Sequence, residues 1–378
     1  MTNTASPMER LISLDAFRGL TIMAMIMANN PGTWSAVYPP LRHADWHGWT
    51  PTDLIFPFFL FMVGVSLVFS LQTRLASGAS NLSRKVFWRA VKIFLLGMAL
   101  FFYHRGIPES IDHIRFCGVL PRIAIVYLIC GLIFIYTRPR TQVLLCVLFL
   151  VGYCYCMLTI PTPGNGGNVM LEPGNNLAAY IDAKVMPFGQ FYHNTNLPEG
   201  SIAWDPEGPF STIPALATCL IGIFVGLLLR NPHKSQERKV IILFFSGFLL
   251  LVGGYCWGLH FPINKPLWSS SYVLLSAGFA CTILAACVYF IDMLGYKRIT
   301  YPAVVFGSNA ITMFCLSGIL AGLFFYGGSW KLNIATMSVM TNAGCSPEFA
   351  SMSYALLFVA VNFIPAWLLY HFKIFLRV

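Results

Sequence analysis

Charge is the scarcest property of this sequence. Only 10% of its 378 residues are Asp, Glu, Lys or Arg, whereas 57% are hydrophobic. A soluble domain carries roughly 25% charged residues, so the composition excludes an ordinary soluble protein. The formal net charge of the chain is +10, which by itself would suit a nucleic-acid partner. The positions of the charged residues along the chain indicate a membrane instead, and we expect no nucleic acid.

The apolar residues are gathered into ten stretches of about 20 residues, the length that a helix needs to cross a bilayer. They predict an all-α, polytopic membrane protein with about ten transmembrane helices in one bundle. The predicted spans are 13–30, 53–73, 87–103, 117–137, 141–160, 212–230, 239–259, 272–292, 301–325 and 352–372. The first span carries Asp15 and has no basic leader with a small-residue cleavage site, so we expect it to be retained.

Lys and Arg are unevenly divided between the two sides of these spans. With alternating spans, 16 of the 24 fall on the side of the N-terminus and six on the other. Because positive residues concentrate on the cytoplasmic side, we expect both termini in the cytoplasm. The loops at about 30–52 and 161–211 then lie outside.

No linker, composition break or internal repeat divides the chain, which predicts a single membrane domain over residues 1–378. The lack of a repeat counts against an inverted-repeat transporter. The 161–211 segment is long for a passive connector, and its Gly, Pro and Asn content is typical of turns. It is either a plain surface loop or a segment with a function, as a lid or a substrate platform.

A metal site is also not expected. The eleven cysteines include no paired CxxC motif, so a zinc site is disfavoured. His43 and His47 have the i, i+4 spacing of a helical zinc pair. Pro39, Pro40 and Gly48 argue against a helix at that place.

Ionisable residues within the spans are candidates for function because burying them in a bilayer is costly. Asp15 and Arg18 are three residues apart and share one helical face. An internal ion pair is the favoured interpretation for them, and ligand binding is the alternative. Arg122 lies in the outer half of the fourth span, where it can pair with Asp53 or meet an anionic group.

The loop around His43 combines side chains that can carry acid–base or nucleophilic chemistry. His43 can act as a general base or a nucleophile, and Asp45 or Asp53 can orient its imidazole. Asn30, at the end of the first span, can donate hydrogen bonds to a developing oxyanion. Trp46 either stacks on a sugar ring or belongs to an interfacial aromatic belt.

Two further outer segments carry polar and aromatic residues just before a span. Asp205 and Glu207 precede the sixth span, where acidic residues also simply suit a helix N-terminus. The other segment, FPINKPLWSSSYV, precedes the eighth span. These polar rims are candidates for binding a sugar. The second of them contributes Asn264, Lys265 and Trp268.

These segments resemble the heparan-alpha-glucosaminide N-acetyltransferase family. The matching strings are RLISLDAFRGL, RHADWHGWTPTDLIFPFFLFMVG, FCGVLPRIAIVYL, WDPEGPFSTIPAL and FPINKPLWSSSYV, in the family's order. The lysosomal enzymes have a luminal N-terminal extension without a counterpart here, so we expect glucosamine or a terminal glucosaminide as the acceptor rather than heparan sulfate itself.

The resemblance implies a transmembrane acetyltransferase of a bacterial inner membrane. Acetyl-CoA would enter from the cytoplasm, and the acetyl group would reach the acceptor amine in the periplasm. The family's catalytic histidine falls on His43, and its asparagine on Asn30 with Asn29 as the neighbouring choice. We assign Arg18, Arg122 and Asn309 to acetyl-CoA binding, and a homodimer is plausible from the relatives. The alternative function is transport of an amino sugar or other small solute without covalent chemistry.

Overall fold

The computed structural model describes residues 11–105, 114–163, 167–186, 191–193, 201–324 and 331–376. Nearly all of their regular structure is helical, as predicted. The helices are α1 Ile12–Asn29, α2 Ile55–Ala76, α3 Leu82–Arg105, α4 Val119–Tyr136, α5 Pro139–Thr159, α6 Leu177–Val185, α7 Thr212–Leu229, α8 Gln236–Gly258, α9 Ser270–Cys287, α10 Tyr301–Ser308, α11 Ala310–Phe324, α12 Leu332–Asn342 and α13 Pro347–His371. A short hairpin pairs β1 Leu171–Glu172 with β2 Asn175–Asn176.

Within this part of the chain, nine helical segments are long and apolar enough to cross a membrane, and the α10–α11 pair makes a tenth if it counts as one span. The prediction of about ten spans is thereby confirmed. The predicted continuous helix over 301–325 is wrong, because α10 and α11 meet at 88°. The break falls at Asn309, whose side-chain amide donates to the carbonyl oxygen of Ile374 at 2.9 Å.

Helix α3 begins five residues before its predicted start at 87. Arg84 and Lys85 made the sequence look too polar for a span at this point. Long basic side chains can lay their stems along apolar surface while the charge reaches the membrane edge. The same effect explains why α8 begins before the basic residues Arg238 and Lys239.

Helices α6 and α12 lie in regions where the sequence predicted loops. The prediction of turns throughout 161–211 is wrong at α6, which begins where the Asn176 side chain accepts a hydrogen bond from the backbone N–H of Ala179 at 2.9 Å. Such a cap satisfies one of the free donors at a helix start. The Gly- and Pro-rich flanks hid this nine-residue helix.

Two helix pairs in the centre of the bundle approach closely at glycines. A Cβ added at Gly64 of α2 would lie 2.0 Å from the backbone oxygen of Cys219 in α7, and one at Gly222 would lie 2.0 Å from the oxygen of Phe61. In the same way, a Cβ added at Gly19 of α1 would meet a backbone oxygen of α10, and one added at Gly307 of α10 would meet a backbone oxygen of α1. Small residues let helices pack backbone to backbone in a membrane, and this packing fixes the helices that carry the candidate site.

Burial separates central helices from peripheral ones. The most apolar stretch of α7 is 78% buried and that of α2 is 67% buried, whereas the corresponding stretch of α8 is 17% buried. Exposed apolar side chains on α8, such as Phe244 and Leu249, are what a lipid-facing surface requires. The chain is therefore a multi-pass membrane protein whose polar groups gather around the central helices.

Candidate active site

The loop that carries His43 joins α1 to α2 and is built from short turns. Single 3₁₀ turns cover Pro39–Leu41 and Pro51–Leu54, so His43 and His47 do not share a helix face, as their proline-rich surroundings predicted. At the second turn, Thr50 and Asp53 form a reciprocal capping box. This arrangement holds Asp53 at the top of α2 with its carboxylate turned back toward the loop.

His43, Asp53 and Lys265 form one charge cluster. The Nδ1 atom of His43 lies 2.7 Å from Oδ1 of Asp53. The ammonium nitrogen of Lys265 lies 3.3 Å from the same carboxylate oxygen. It also lies 3.0 Å from Nδ1 and 3.5 Å from Nε2 of His43. The Asp53 side chain is 1% exposed, whereas that of His43 is 49% exposed.

The second oxygen of Asp53 holds the carboxylate in place. Oδ2 accepts the backbone N–H groups of Ala44 and Thr50, each at 3.0 Å, and the Thr50 hydroxyl at 3.1 Å. Tyr272 of α9 donates its hydroxyl to the backbone oxygen of Asp53. A carboxylate that accepts at both oxygens favours a proton on Nδ1 of His43, which leaves the lone pair on Nε2.

His43 and Lys265 line a cavity of about 180 Å³ at this end of the bundle. Three other polar residues, Asn29, Thr52 and Glu207, line it as well. The rest of its wall is apolar and comes mainly from α1, α2, α4 and α11. Burial lowers the pKa of the Lys265 ammonium from its ordinary value, and the carboxylates of Asp53 and Glu207 oppose that effect.

A larger cavity of about 870 Å³ begins on the far side of this wall. Phe59, Ile123, Ala310 and Ile311 line both spaces, so these four side chains lie between them. The larger cavity opens toward the opposite end of the bundle and contains Arg18. Together the two cavities follow α1, α2 and α4 through much of the bundle.

Asn29 and Asn30 have different surroundings. Asn29 is exposed and lines the cavity of His43. Asn30 is 5% exposed, and its side-chain amide donates to the backbone oxygen of Ile26 at 2.8 Å. Of the two asparagines, Asn29 is therefore the one that the structure brings to the His43 cavity.

Trp46 and Asn264 connect the His43 loop to its neighbours. The Trp46 indole donates to the backbone oxygen of Leu171 at 2.9 Å and meets the ring of Trp204 edge to face. Asn264 donates to the backbone oxygen of Trp46 at 3.0 Å. Leu171 and Trp204 of the 161–211 segment therefore pack beside the His43 loop. Asp45 is exposed, and Asp53 rather than Asp45 bonds to His43.

Asp205 and Glu207 are joined by an arginine that sequence reasoning had not selected. Arg115 binds Asp205 with two hydrogen bonds, of 2.6 and 2.8 Å, and Glu207 at 2.7 Å. This arginine and its hydrogen bonds lower the pKa of Asp205 against the opposing effect of burial. Burial and the negative charge of Asp205 raise the pKa of Glu207. Only Glu207 of these three lines the His43 cavity.

Arg122 and Trp268 lie inside the protein. Arg122 is 1% exposed and donates to the backbone oxygen of Gly208 at 3.0 Å and to the Ser211 hydroxyl. Its guanidinium lies 5.1 Å from the ring centre of Trp268, which is also 1% exposed. The pairing of Arg122 with Asp53 that the sequence allowed does not form. Arg122 and Trp268 therefore support the site from inside the protein and do not line the His43 cavity.

Arg18 and Asn309 line the larger cavity. Arg18 bonds to Asp15 at 3.1 Å, as the favoured interpretation predicted, and also to the Ser66 hydroxyl at 3.1 Å. Asn309 holds the C-terminal segment, accepting from the backbone N–H of Leu376 at 2.9 Å. Among the described residues, no group of three or more His, Cys, Asp or Glu side chains could hold a metal ion.

The sequence contained a signal for the capping box that reasoning from it overlooked. Thr50 and Asp53 have the S/T-x-x-acid spacing that starts a helix, and this spacing would have selected Asp53 over Asp45. Arg115 had no comparable signal, since its carboxylate partners lie about 90 residues later in the chain.

Comparison with known proteins supports the motif resemblance. A family model described as "Heparan-alpha-glucosaminide N-acetyltransferase, catalytic" matches residues 10–176, a range that includes His43 and Asp53. The resemblance to this family is confirmed.

Two curated relatives extend the match along the chain. The heparan-alpha-glucosaminide N-acetyltransferase of Mus musculus is 27% identical over 374 residues, covering 86% of this chain and 56% of the relative. The protein of the same name from Homo sapiens is 27% identical over 370 residues, covering 85% and 54%. The chain spans about half the length of the curated relatives it matches.

Proposed function

We propose that this protein is a membrane N-acetyltransferase that moves an acetyl group from cytoplasmic acetyl-CoA to the amine of glucosamine or a terminal glucosaminide. The observation that carries the proposal is His43, bonded to Asp53, in a cavity that adjoins a larger one reaching toward the other end of the bundle. An acetyltransferase working across a membrane needs both the base and the path. The family resemblance supports the same chemistry.

The proposed reaction forms a C–N bond and breaks a C–S bond. The neutral acceptor amine attacks the thioester carbonyl carbon, and the CoA thiolate leaves. Nε2 of His43 takes the proton from the nitrogen, a role worth typically 10²–10⁴-fold in rate. In the alternative route Nε2 first receives the acetyl group itself and then passes it to the amine. Asp53 holds the imidazole in the correct tautomer in either route.

Asn29 is the better placed asparagine to stabilise the oxyanion. Its side chain lines the cavity of His43, whereas Asn30 donates to its own helix. A side-chain amide at this position can donate a hydrogen bond to a developing oxyanion.

The donor would enter through the larger cavity. A neighbouring basic pocket of about 780 Å³ shares Ser70 and Arg89 with that cavity. Its other basic side chains are Arg74, Arg84, Lys85 and Lys92. These cations suit the phosphates of acetyl-CoA, while the pantetheine arm and thioester would extend toward His43. Arg18 lies along this route and is the candidate donor contact within the bundle.

The acceptor would bind from the His43 end. Glu207 lines the cavity there and offers a carboxylate to a sugar amine or hydroxyl. Trp46, exposed in part beside Trp204, offers an aromatic face of the kind that binds sugar rings. By the distribution of positive charge, this end faces the periplasm of a bacterial inner membrane and both termini face the cytoplasm. We further propose that residues 1–378 act as one unit, as a monomer or homodimer.

A transporter of small solutes would also use connected cavities, so the deciding test concerns chemistry. Purified protein in detergent is mixed with acetyl-labelled acetyl-CoA and glucosamine, and free CoA and N-acetylglucosamine are measured. We expect both products in equal amounts, dependent on glucosamine and lost in His43→Ala. Full activity of His43→Ala would remove the assigned role. Absence of both products in the folded wild type, together with saturable binding of glucosamine, would favour transport.

A further inference from the structure

Lys265 occupies a position that the acetyl-transfer scheme does not explain. Its ammonium nitrogen lies within 3.5 Å of both ring nitrogens of His43 and 3.3 Å from Asp53. The side chain of Lys265 is 20% exposed and that of Asp53 only 1%, so solvent screens this contact less than it would a surface pair.

Asp53 alone would work against catalysis at neutral pH. A buried carboxylate 2.7 Å from an imidazole stabilises the imidazolium form, and an imidazolium has no lone pair with which to accept a proton or an acetyl group. The group that acts on the substrate must be neutral imidazole. A positive charge beside the ring opposes protonation of the ring in the same way that the carboxylate favours it.

We propose that Lys265 balances the charge of Asp53 and thereby keeps His43 neutral. This inference deepens the proposed acetyl transfer but concerns the protonation of His43, which can be measured without any turnover. Lys265 acts through His43, so it is a positioning residue in this role.

The charged groups around His43 support the balance. From the neighbouring elements, Asp53 and Lys265 contact the ring, and Glu207 lines the same cavity with its charge shared by Arg115. Tyr272 of α9 adds a hydroxyl, which donates to the backbone oxygen of Asp53. The other charged or titratable groups beside His43 in the described part of the chain belong to its own loop. These are Arg42, whose Nε donates to the Val37 carbonyl oxygen, the exposed Asp45, and His47, which meets Asn264. With Glu207 engaged by Arg115, Lys265 is the cation that offsets Asp53.

The test compares Lys265→Met with Lys265→Arg. Diethyl pyrocarbonate reacts with neutral imidazole, so the rate of His43 modification at neutral pH, followed by peptide mass spectrometry, reports how much of that side chain is neutral. We expect Lys265→Met to slow this modification several-fold, because it removes the positive charge beside the ring, and Lys265→Arg to keep it near the wild-type rate. Lys184→Met removes an exposed positive charge on α6 and serves as the control.

A second measurement separates this inference from the proposed function. The kcat/KM for acetyl transfer at neutral pH should fall by the same factor in Lys265→Met, and Lys265→Arg should restore it. A change in modification rate without any measurable transfer in the wild type would keep the role of Lys265 and refute the acetyltransferase. An unchanged rate of His43 modification in a folded Lys265→Met protein would overturn the inference, whatever its activity.

Discussion

At the scale of single residues, the two oxygens of Asp53 have separate tasks. Oδ1 faces His43 and Lys265, while Oδ2 accepts from Ala44 and Thr50. The carboxylate thus holds the loop in place through Oδ2 and favours one tautomer of His43 through Oδ1. Substitution by asparagine preserves the shape but presents an amide where the charge was.

We expect Asp53→Asn to lower kcat for acetyl transfer by about 10²–10⁴-fold, because the imidazole loses the partner that fixes its tautomer. Steady-state kinetics with acetyl-CoA and glucosamine measures this effect. Glu172→Gln, an exposed carboxylate in β1, is the control and should retain wild-type turnover. Equal activity of Asp53→Asn and the wild type would contradict the role given to Asp53.

The two adjacent asparagines allow a matched comparison. Asn29→Ala should reduce kcat by about 10²–10³-fold, the usual cost of losing an oxyanion donor, with little change in the melting temperature. Asn30→Ala should instead lower the melting temperature, since it removes a buried hydrogen bond to Ile26 worth about 1 kcal/mol. The reverse pattern, with kcat lost only in Asn30→Ala, would assign the catalytic role to Asn30.

At the scale of helices, close packing sets the position of α2, and with it the turn before α2 that contains Asp53. A methyl group at Gly64 would lie 2.0 Å from a backbone oxygen of α7, and a backbone atom within a helix cannot move aside. Helices α2 and α7 would have to separate, and the part of the His43 cavity wall that α2 forms would move as well.

We therefore expect Gly64→Ala to destabilise the protein by about 1–3 kcal/mol, the range for overpacked cores. Thermal unfolding in detergent, followed by fluorescence, measures the change. Gly152→Ala is the control, because the added carbon in α5 would meet only the side chain of Leu148 at 4.0 Å. Similar melting temperatures for both variants would show that the α2–α7 contact tolerates a larger residue.

The sequence predicted some elements better than others for physical reasons. Long apolar stretches were found because bilayer thickness fixes their length. Helix α6 was missed because nine residues between Gly- and Pro-rich flanks carry too little pattern. The bend at Asn309 was missed because it depends on a contact with Ile374, which lies far away in the chain.

The candidate site was only partly predictable for the same reason. His43 and its carboxylate are ten residues apart, so a loop motif could suggest them. The contact of Lys265 with His43 joins residues 222 positions apart, and only the packed bundle reveals it. Sequence placed Trp268 on a polar rim because of its polar neighbours, whereas the bundle buries it against Arg122.

At the scale of the whole molecule, the basic pocket and the two cavities form a series from one end of the bundle to the other. Positive charge at the entry and a histidine at the far end match a donor with phosphates at one terminus and a thioester at the other. The order of these features gives the proposed direction of transfer.

The proposed entry of acetyl-CoA through the basic pocket can be tested by measuring donor binding. The double variant Arg84→Gln/Lys85→Gln should raise the KM for acetyl-CoA by about 5–30-fold if each charge contributes about 0.5–1 kcal/mol, and high salt should shrink the difference. The KM for glucosamine should not change. The control Arg138→Gln/Arg140→Gln removes two exposed cations at the start of α5, outside the pocket. An equal rise in that variant would contradict a specific donor site.

The most direct test of the account is the sidedness of transfer in sealed vesicles. Wild-type protein is reconstituted with glucosamine trapped inside, and labelled acetyl-CoA is added only outside. Neither substrate crosses the bilayer unaided. We expect labelled N-acetylglucosamine to accumulate inside the vesicles and to be absent with His43→Ala. Product that forms only after detergent opens the vesicles would contradict transfer through the bundle.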